Sequence, residues 1–86
     1  MRILTTRRYE KAFERLPKEV QDLADKKIAL LVKNPRHPSL RVKKIGGTKG
    51  IWESSITMNY RVTFEILEGG YLLRNIGSHD PTLGRP

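Results

Sequence analysis

Apolar side chains recur along this chain with two different periods. Tyr9, Ala12, Phe13 and Leu16 are spaced i, i+3, i+4, i+7, which is one face of an amphipathic helix. Val20, Leu23, Ala24, Ile28 and Leu31 mark the apolar face of a second, longer helix. Pro17 separates the two and suits the first turn of the second, where its missing N–H leaves no bond unmade. Asn34-Pro35 ends that helix, because the residue before a proline avoids the helical region. The pattern predicts a helical hairpin with a very short connection, its aromatic and aliphatic stripe turned into a core.

The other segments read as extended chain. RILTT, before the helices, is a short strand. After Gly50 the period becomes two. GIWESSIT is a strand, MN a two-residue connection, and YRVTFEIL the clearest strand of all. Tyr60, Val62, Phe64 and Ile66 share one of its faces; Arg61, Thr63 and Glu65 share the other. EGG makes a hairpin turn into a partner strand, YLLRNI. Between helices and strands lies PRHPSLRVKKIGGTKG, a basic loop in which RVKKI is a further short strand. The order β-α-α-β-β-β-β predicts an α+β fold, with both helices on one face of a mostly antiparallel sheet. The other face is expected to stay open and to carry Arg61. At 86 residues, without repeats or a linker, residues 1–86 are expected to form one domain.

Composition narrows the function. There is no cysteine, hence no disulfide and no thiolate metal site. The chain has no long apolar run, and its start lacks a signal-peptide core, so a cytoplasmic protein away from membranes is expected. Lys and Arg number 17 against 9 Asp and Glu, a formal charge of +8. Such an excess on so short a chain favours a polyanionic or acidic partner. Arg41, Lys43, Lys44 and Lys49 cluster in the basic loop and suit salt-dependent contacts to backbone phosphates. Arg74 adds a cation or simply flanks the sheet. His37, between Arg36 and Pro38, is a loop residue. Two isolated histidines give no metal-binding spacing. Gly46-Gly47 is a turn and not a nucleotide loop, since no helix follows it.

Four stretches make the sequence resemble the RelE/ParE superfamily of bacterial and archaeal toxins. They are the hairpin RRYEKAFERLPKEVQDLADKKIALLVKNP, then HPSLRVKKIGG, then GIWESSITMNYRVTFEI, then LLRNIGSHD. The strand pair and the closing IGSHD are the most specific part, and the late histidine is similar to the YafQ and YoeB branches. The resemblance implies the RelE-like, microbial-RNase-type fold: an N-terminal strand and a two-helix hairpin on one face of a twisted, mostly antiparallel sheet of four to five strands. For the RelE-type branches it implies cleavage of messenger RNA in the ribosome, without metal or cofactor, and silencing by a cognate antitoxin protein. The implied partners are that antitoxin, the ribosome with its RNA, and messenger RNA. The ParE branch shares the fold and poisons DNA gyrase without cutting RNA, so the site must decide between them.

Metal-independent RNA cleavage needs a 2′-hydroxyl deprotonated to attack the adjacent phosphorus, stabilisation of a phosphorane, and a proton for the departing 5′-oxygen. Arg61 matches the family arginine that contacts the scissile phosphate, and guanidinium binds phosphate in a bidentate way. From the residue pattern alone an exposed arginine paired with Glu53 or Glu65 is the stronger reading. His79 falls where the YafQ and YoeB branches place a general acid or base, and imidazole suits proton transfer near neutrality. Without the resemblance it is a turn histidine whose neighbour Asp80 caps the Pro81 turn. Alternation groups it with Asn75 and Leu73 on a straight strand. Glu53 is a proton acceptor or an ion-pair partner. Trp52 stacks on a base or, more simply, packs in the core. The chain departs from the family pattern in two ways. Leu83 stands where an aromatic usually follows the late histidine, and no glutamate lies near Ser39, Leu40 and Arg41 to serve as the YoeB-type base. A third reading is therefore a catalytically weakened binder of RNA or antitoxin.

Overall fold

Thr6 starts the first helix. In the computed structural model, which describes residues 2–86, its hydroxyl accepts the Tyr9 N–H at 3.0 Å, the arrangement of an N-cap. It follows strand β1 (Arg2–Thr5) and opens helix α1 (Arg7–Glu14). Tyr9 and Phe13 stack with ring centroids 6.0 Å apart. The Gln21 side-chain amide donates to the Phe13 carbonyl at 3.0 Å and ties α1 to helix α2 (Lys18–Lys33). Pro17 stands at the N-cap of α2, one position ahead of the predicted first turn, and its carbonyl accepts from Val20 and Gln21. Ala24 and Leu31 are buried, whereas Leu23 is 39% exposed, so the α2 stripe is narrower than its spacing predicts.

A 3-10 turn (Pro38–Leu40) leads to four further strands: β2 (Lys43–Lys44), β3 (Ile51–Ser55), β4 (Tyr60–Leu67) and β5 (Gly70–Ser78). The five strands form one sheet in the order β1-β5-β4-β3-β2. β1 runs parallel to β5, from Arg2 opposite Gly70 to Thr5 opposite Leu73; the other pairs are antiparallel. A Cβ at residue 70 would lie 2.0 Å from the Arg2 carbonyl oxygen, so only glycine allows this close pairing. Val62, Phe64, Leu73 and Ile76 form the sheet side of the core, with Ala24, Leu31 and Leu40 packed into the same cluster. Phe64 meets Tyr71 edge to face at 5.3 Å.

Expectations fail on both faces of β4. Thr63 is fully buried and Ile66 is 56% exposed, the reverse of simple alternation. The register shifts between Thr63 and Phe64: Thr63 pairs with Asn75 but Phe64 with Leu73, leaving Arg74 as an extra residue in β5. The face that carries Arg61 is also not open along its whole length. A short helix α3 (His79–Gly84), absent from the predicted order, folds back over β4 and β5. Behind it, the Thr63 hydroxyl and the Arg74 Nε donate to the Pro86 oxygen at 3.1 and 3.2 Å, and Asn75 Nδ2 donates to the Arg85 carbonyl at 3.0 Å. Likewise the β3–β4 connection is the four residues Ile56 to Asn59 and not Met58-Asn59 alone. Among the described residues no helix is long and apolar enough to cross a membrane.

Burial first, and then the Asp25 carboxylate, raises the Tyr9 phenol above its ordinary value near 10. The folded chain keeps this proton where the unfolded chain releases it. The resulting stabilisation is complete below the unfolded value and is lost as pH climbs from there towards the raised folded value, by about 1.4 kcal/mol per unit at most. Urea unfolding at about pH 9 and about pH 11 should therefore show a larger fall for the wild type than for Tyr9→Phe. Equal falls would contradict it.

Candidate functional site

Arg61 is the second residue of β4, opposite Ser55 of β3 and Gly77 of β5. Its side chain is only 11% exposed, and a guanidinium held that far from water needs partners. It has them. Nη1 donates to the carbonyls of Thr57 at 2.7 Å, Met58 at 2.9 Å and Tyr60 at 3.1 Å, closing the β3–β4 turn around itself. Nε lies 3.7 Å from the buried Glu53 carboxylate, an ion pair too long for a hydrogen bond. Among the described residues no hydrogen bond uses Nη2, and no buried side-chain polar atom lacks a partner, so this nitrogen faces solvent.

His79 is the first residue of α3. Ser78 ends β5 in an extended conformation at the helix N-cap, and Pro81 follows inside the first turn. The strand-to-helix switch is fixed from two sides. The His79 N–H donates to the Asn59 carbonyl at 2.8 Å, binding α3 to the turn that Arg61 holds. Thr82 packs against Gly77, where a Cβ would come within 2.7 Å of its hydroxyl oxygen. The imidazole is half exposed, and its Nδ1 lies 2.7 Å from Asp80 Oδ1. Facing an ionised Asp80, Nδ1 carries the hydrogen. Nε2 is then left to exchange a proton with a ligand.

These two residues meet in two adjoining clefts. One, of about 530 Å³, is lined by Met58, Asn59, Arg61, Ser78, His79, Asp80 and Pro81. The other, of about 370 Å³, is lined by Arg41, Lys43, Glu53, Ser55, Arg61 and His79. Arg41 has φ 47°, left-handed backbone that a side chain adopts under strain. The neighbouring Leu40 carbonyl is pinned by the buried Ser54 hydroxyl at 3.0 Å. So Arg61, His79, Arg41, Lys43, Glu53 and Asp80 come together. Lys44, opposite Trp52, and Lys49, in the following loop, line neither cleft. Arg74 is engaged with Glu65 at 2.5 Å and lies outside both. Leu83 lines neither, and Trp52 packs against the core. His37 caps the 3-10 turn, its Nδ1 accepting the Ser39 N–H at 3.1 Å. Among the described residues no group of three His, Cys, Asp or Glu side chains could hold a metal ion.

Sequence reasoning missed Asn59 and Ser55, whose contributions depend on strand pairing. It also missed α3, although Ser78, Asp80 and Pro81 form a helix-start signal: an N-cap residue, an acid and a proline in the first turn.

The sequence matches no family model and no curated protein. Solved structures are similar over almost the whole chain. A crystal structure of YafQ from E. coli strain BL21(DE3) aligns with TM-score 0.80 at 12% identity, covering 94% of this chain and 96% of that one. A YoeB/ParE toxin from Agrobacterium tumefaciens gives 0.77 at 16%, covering 92% and 99%. The RelB-RelE antitoxin-toxin complex from Methanococcus jannaschii gives 0.72 at 15%, covering 96% and 98%. The chain thus has the fold of the RelE, YafQ and YoeB toxins.

Arg61→Lys keeps the charge but cannot reproduce the guanidinium's hold on three carbonyls. It should lower unfolding free energy by about 1.5–3 kcal/mol, the range for a hydrogen bond to a charged group. Amide exchange should quicken at residues 56–60 and at His79. Unchanged protection at His79 would show that the turn does not depend on Arg61.

Proposed function

We propose that this chain is the toxin of a type II toxin-antitoxin module, a ribosome-dependent endoribonuclease that cuts messenger RNA and so stops translation. The observation that carries the reading is that Arg61 and His79, far apart in sequence, line the same two clefts. One supplies a fixed cation and the other a proton-exchanging ring, which is what phosphodiester cleavage needs. The fold shared with YafQ, YoeB and RelE supports it.

In this mechanism the 2′-oxygen attacks phosphorus as its proton leaves. The negative charge of the phosphorane falls against the outward edge of Arg61, with Arg41 and Lys43 beside it. The bond to the 5′-oxygen breaks, and that oxygen takes a proton from His79 Nε2, leaving a 2′,3′-cyclic phosphate and a 5′-hydroxyl. Asp80 keeps the ring oriented through its contact with Nδ1. Glu53, which lines the same cleft as Arg61 and His79, takes the 2′-proton in this reading. Proteins that bind an antitoxin share this fold, DinJ-YafQ and RelB-RelE among them, and a cognate antitoxin is the partner proposed here. The cell compartment follows from the target, the translating ribosome of the cytoplasm.

One observation favours the weakened-binder reading. Arg61 already spends Nη1 on three carbonyls and pairs with Glu53, so less of its charge is free for phosphate. Cleavage in a translating extract separates the two. His79→Ala should slow it by about 10²–10⁴-fold, the contribution of a positioned acid or base. Arg61→Ala should slow it by about 10²–10³-fold. A message carrying a 2′-deoxy sugar at the cut site should stay whole. If both variants cut as fast as the wild type, the site assignment is wrong; if the wild type cuts nothing yet binds RNA, the weakened-binder reading holds.

A further inference from the structure

A second cationic surface lies on α1, away from Arg61 and His79. At about 100° per residue, Arg7, Lys11, Arg15 and Arg8 fall within an arc of about 100° on this helix. Tyr9, Ala12, Phe13 and Leu16 take the opposite, core-facing arc, and the acids Glu10 and Glu14 take the flank between. Glu10 is itself engaged by the Thr5 hydroxyl at 2.6 Å. None of the ion pairs seen among the described residues uses any of the four cations. They line a cleft of about 420 Å³ together with Ala12 and Asn75, and no acidic side chain enters it.

This cleft does not end at α1. A neighbouring groove of about 330 Å³ shares Arg8, Ala12, Arg15 and Asn75 with it, and shares Ser78 and Pro81 with the larger Arg61–His79 cleft. Arg8 also donates to the Arg85 carbonyl, joining α1 to the chain behind α3. One track therefore runs from α1, past the start of α3, to His79 and Arg61. Arg7 to Arg15 spans about 12 Å of it at about 1.5 Å per residue, room for more than one backbone phosphate.

We propose that the α1 stripe is a second RNA-binding surface, holding the sugar-phosphate backbone of the strand whose scissile bond lies between Arg61 and His79. The proposal rests on the ribonuclease reading for the site the track leads to, and on the α1 cations for the rest. Single-stranded RNA fits better than an acidic protein segment for two reasons. The track is continuous with the cleavage cleft, and the cleft that carries the α1 cations offers one small apolar side chain, Ala12, the larger Leu16 and Ile76 lying only in the groove beyond it. It contains no aromatic ring, so it grips charge without reading bases.

The test is a salt titration of binding to a single-stranded 2′-O-methyl RNA, which cannot be cut. Arg7, Lys11 and Arg15 are changed together to Gln; Arg8 is left alone because it also bonds the Arg85 carbonyl. Each phosphate contact contributes about 0.7 to the slope of log affinity against log salt for a single strand. The triple variant should lose about 2 units of slope and, near physiological salt, roughly 40-fold in affinity. The double variant Arg7→Lys with Arg15→Lys, which keeps Lys11 and all three charges, should match the wild type in both. Unchanged slope and affinity overturn the proposal, whether or not the wild type cuts messages. So does loss of binding to an acidic peptide with RNA binding intact. If the slope falls as expected but the wild type cleaves nothing in a translating extract, the RNA surface stands and the nuclease reading falls.

Discussion

Nη1 of Arg61 donates to two carbonyls of the β3–β4 turn and to that of Tyr60 at the start of β4, and the geometry of both clefts follows from that. A guanidinium so little exposed must satisfy its donors inside the protein or carry a desolvation penalty of several kcal/mol. The turn supplies the acceptors, and in doing so it is fixed relative to β4. Thr57 adds to the closure, its hydroxyl accepting from Asn59 and Tyr60 at 3.1 and 3.2 Å. The Asn59 carbonyl then points to the His79 N–H. The cation at the centre of the site therefore also positions the backbone of its histidine, through one turn.

Glu53 gives this arrangement a cost and a use. Its carboxylate compensates the buried cation, which lets Arg61 sit on the sheet at all. It also cancels part of the field that a phosphate would meet. Arg41 and Lys43 enter the same cleft from the basic loop and shift the balance back to positive. The strained backbone at Arg41 is consistent with that demand, because a glycine would suit the φ and supply no charge. A cleft built this way keeps its central arginine immobile and takes its net charge from the more exposed cations around it.

The helices and β4 were legible because sixteen-residue and eight-residue elements carry enough repeats for their periods to show. The six residues of α3 do not, and its start signal at Ser78 to Pro81 resembles a turn until the strand before it is placed. Thr63 and Ile66 were misread for a different reason. Alternation assigns faces correctly but not burial. Thr63 is covered by residues near the end of the chain, and Ile66, one residue before the end of β4, stays exposed. The chemistry of Arg61 and His79 came from the resemblance and not from spacing, which left both nearer to surface residues. Arg74 looked like Arg61 in composition, and the bulge and the Glu65 contact set it apart.

The bulge has the larger consequence. The turn sets Leu67 opposite Gly70. Continued without a shift, that register would pair Arg61 with Ile76 and bring Ser78, not His79, opposite Asn59. A slip of one residue exchanges the two faces of a strand. The extra residue at Arg74 supplies that slip, so Arg61 pairs with Gly77 and Ile76 turns to the core beside Val62. Gly77 then leaves the space in which Thr82 docks, and His79 comes level with Asn59. The bulged residue is itself anchored: Arg74 bonds Glu65 and the Pro86 oxygen, and its carbonyl accepts the Thr6 hydroxyl at 2.9 Å. An irregularity held on three sides is part of the design of the sheet. It is the step by which a hairpin that would otherwise separate Arg61 from His79 brings them into one cleft.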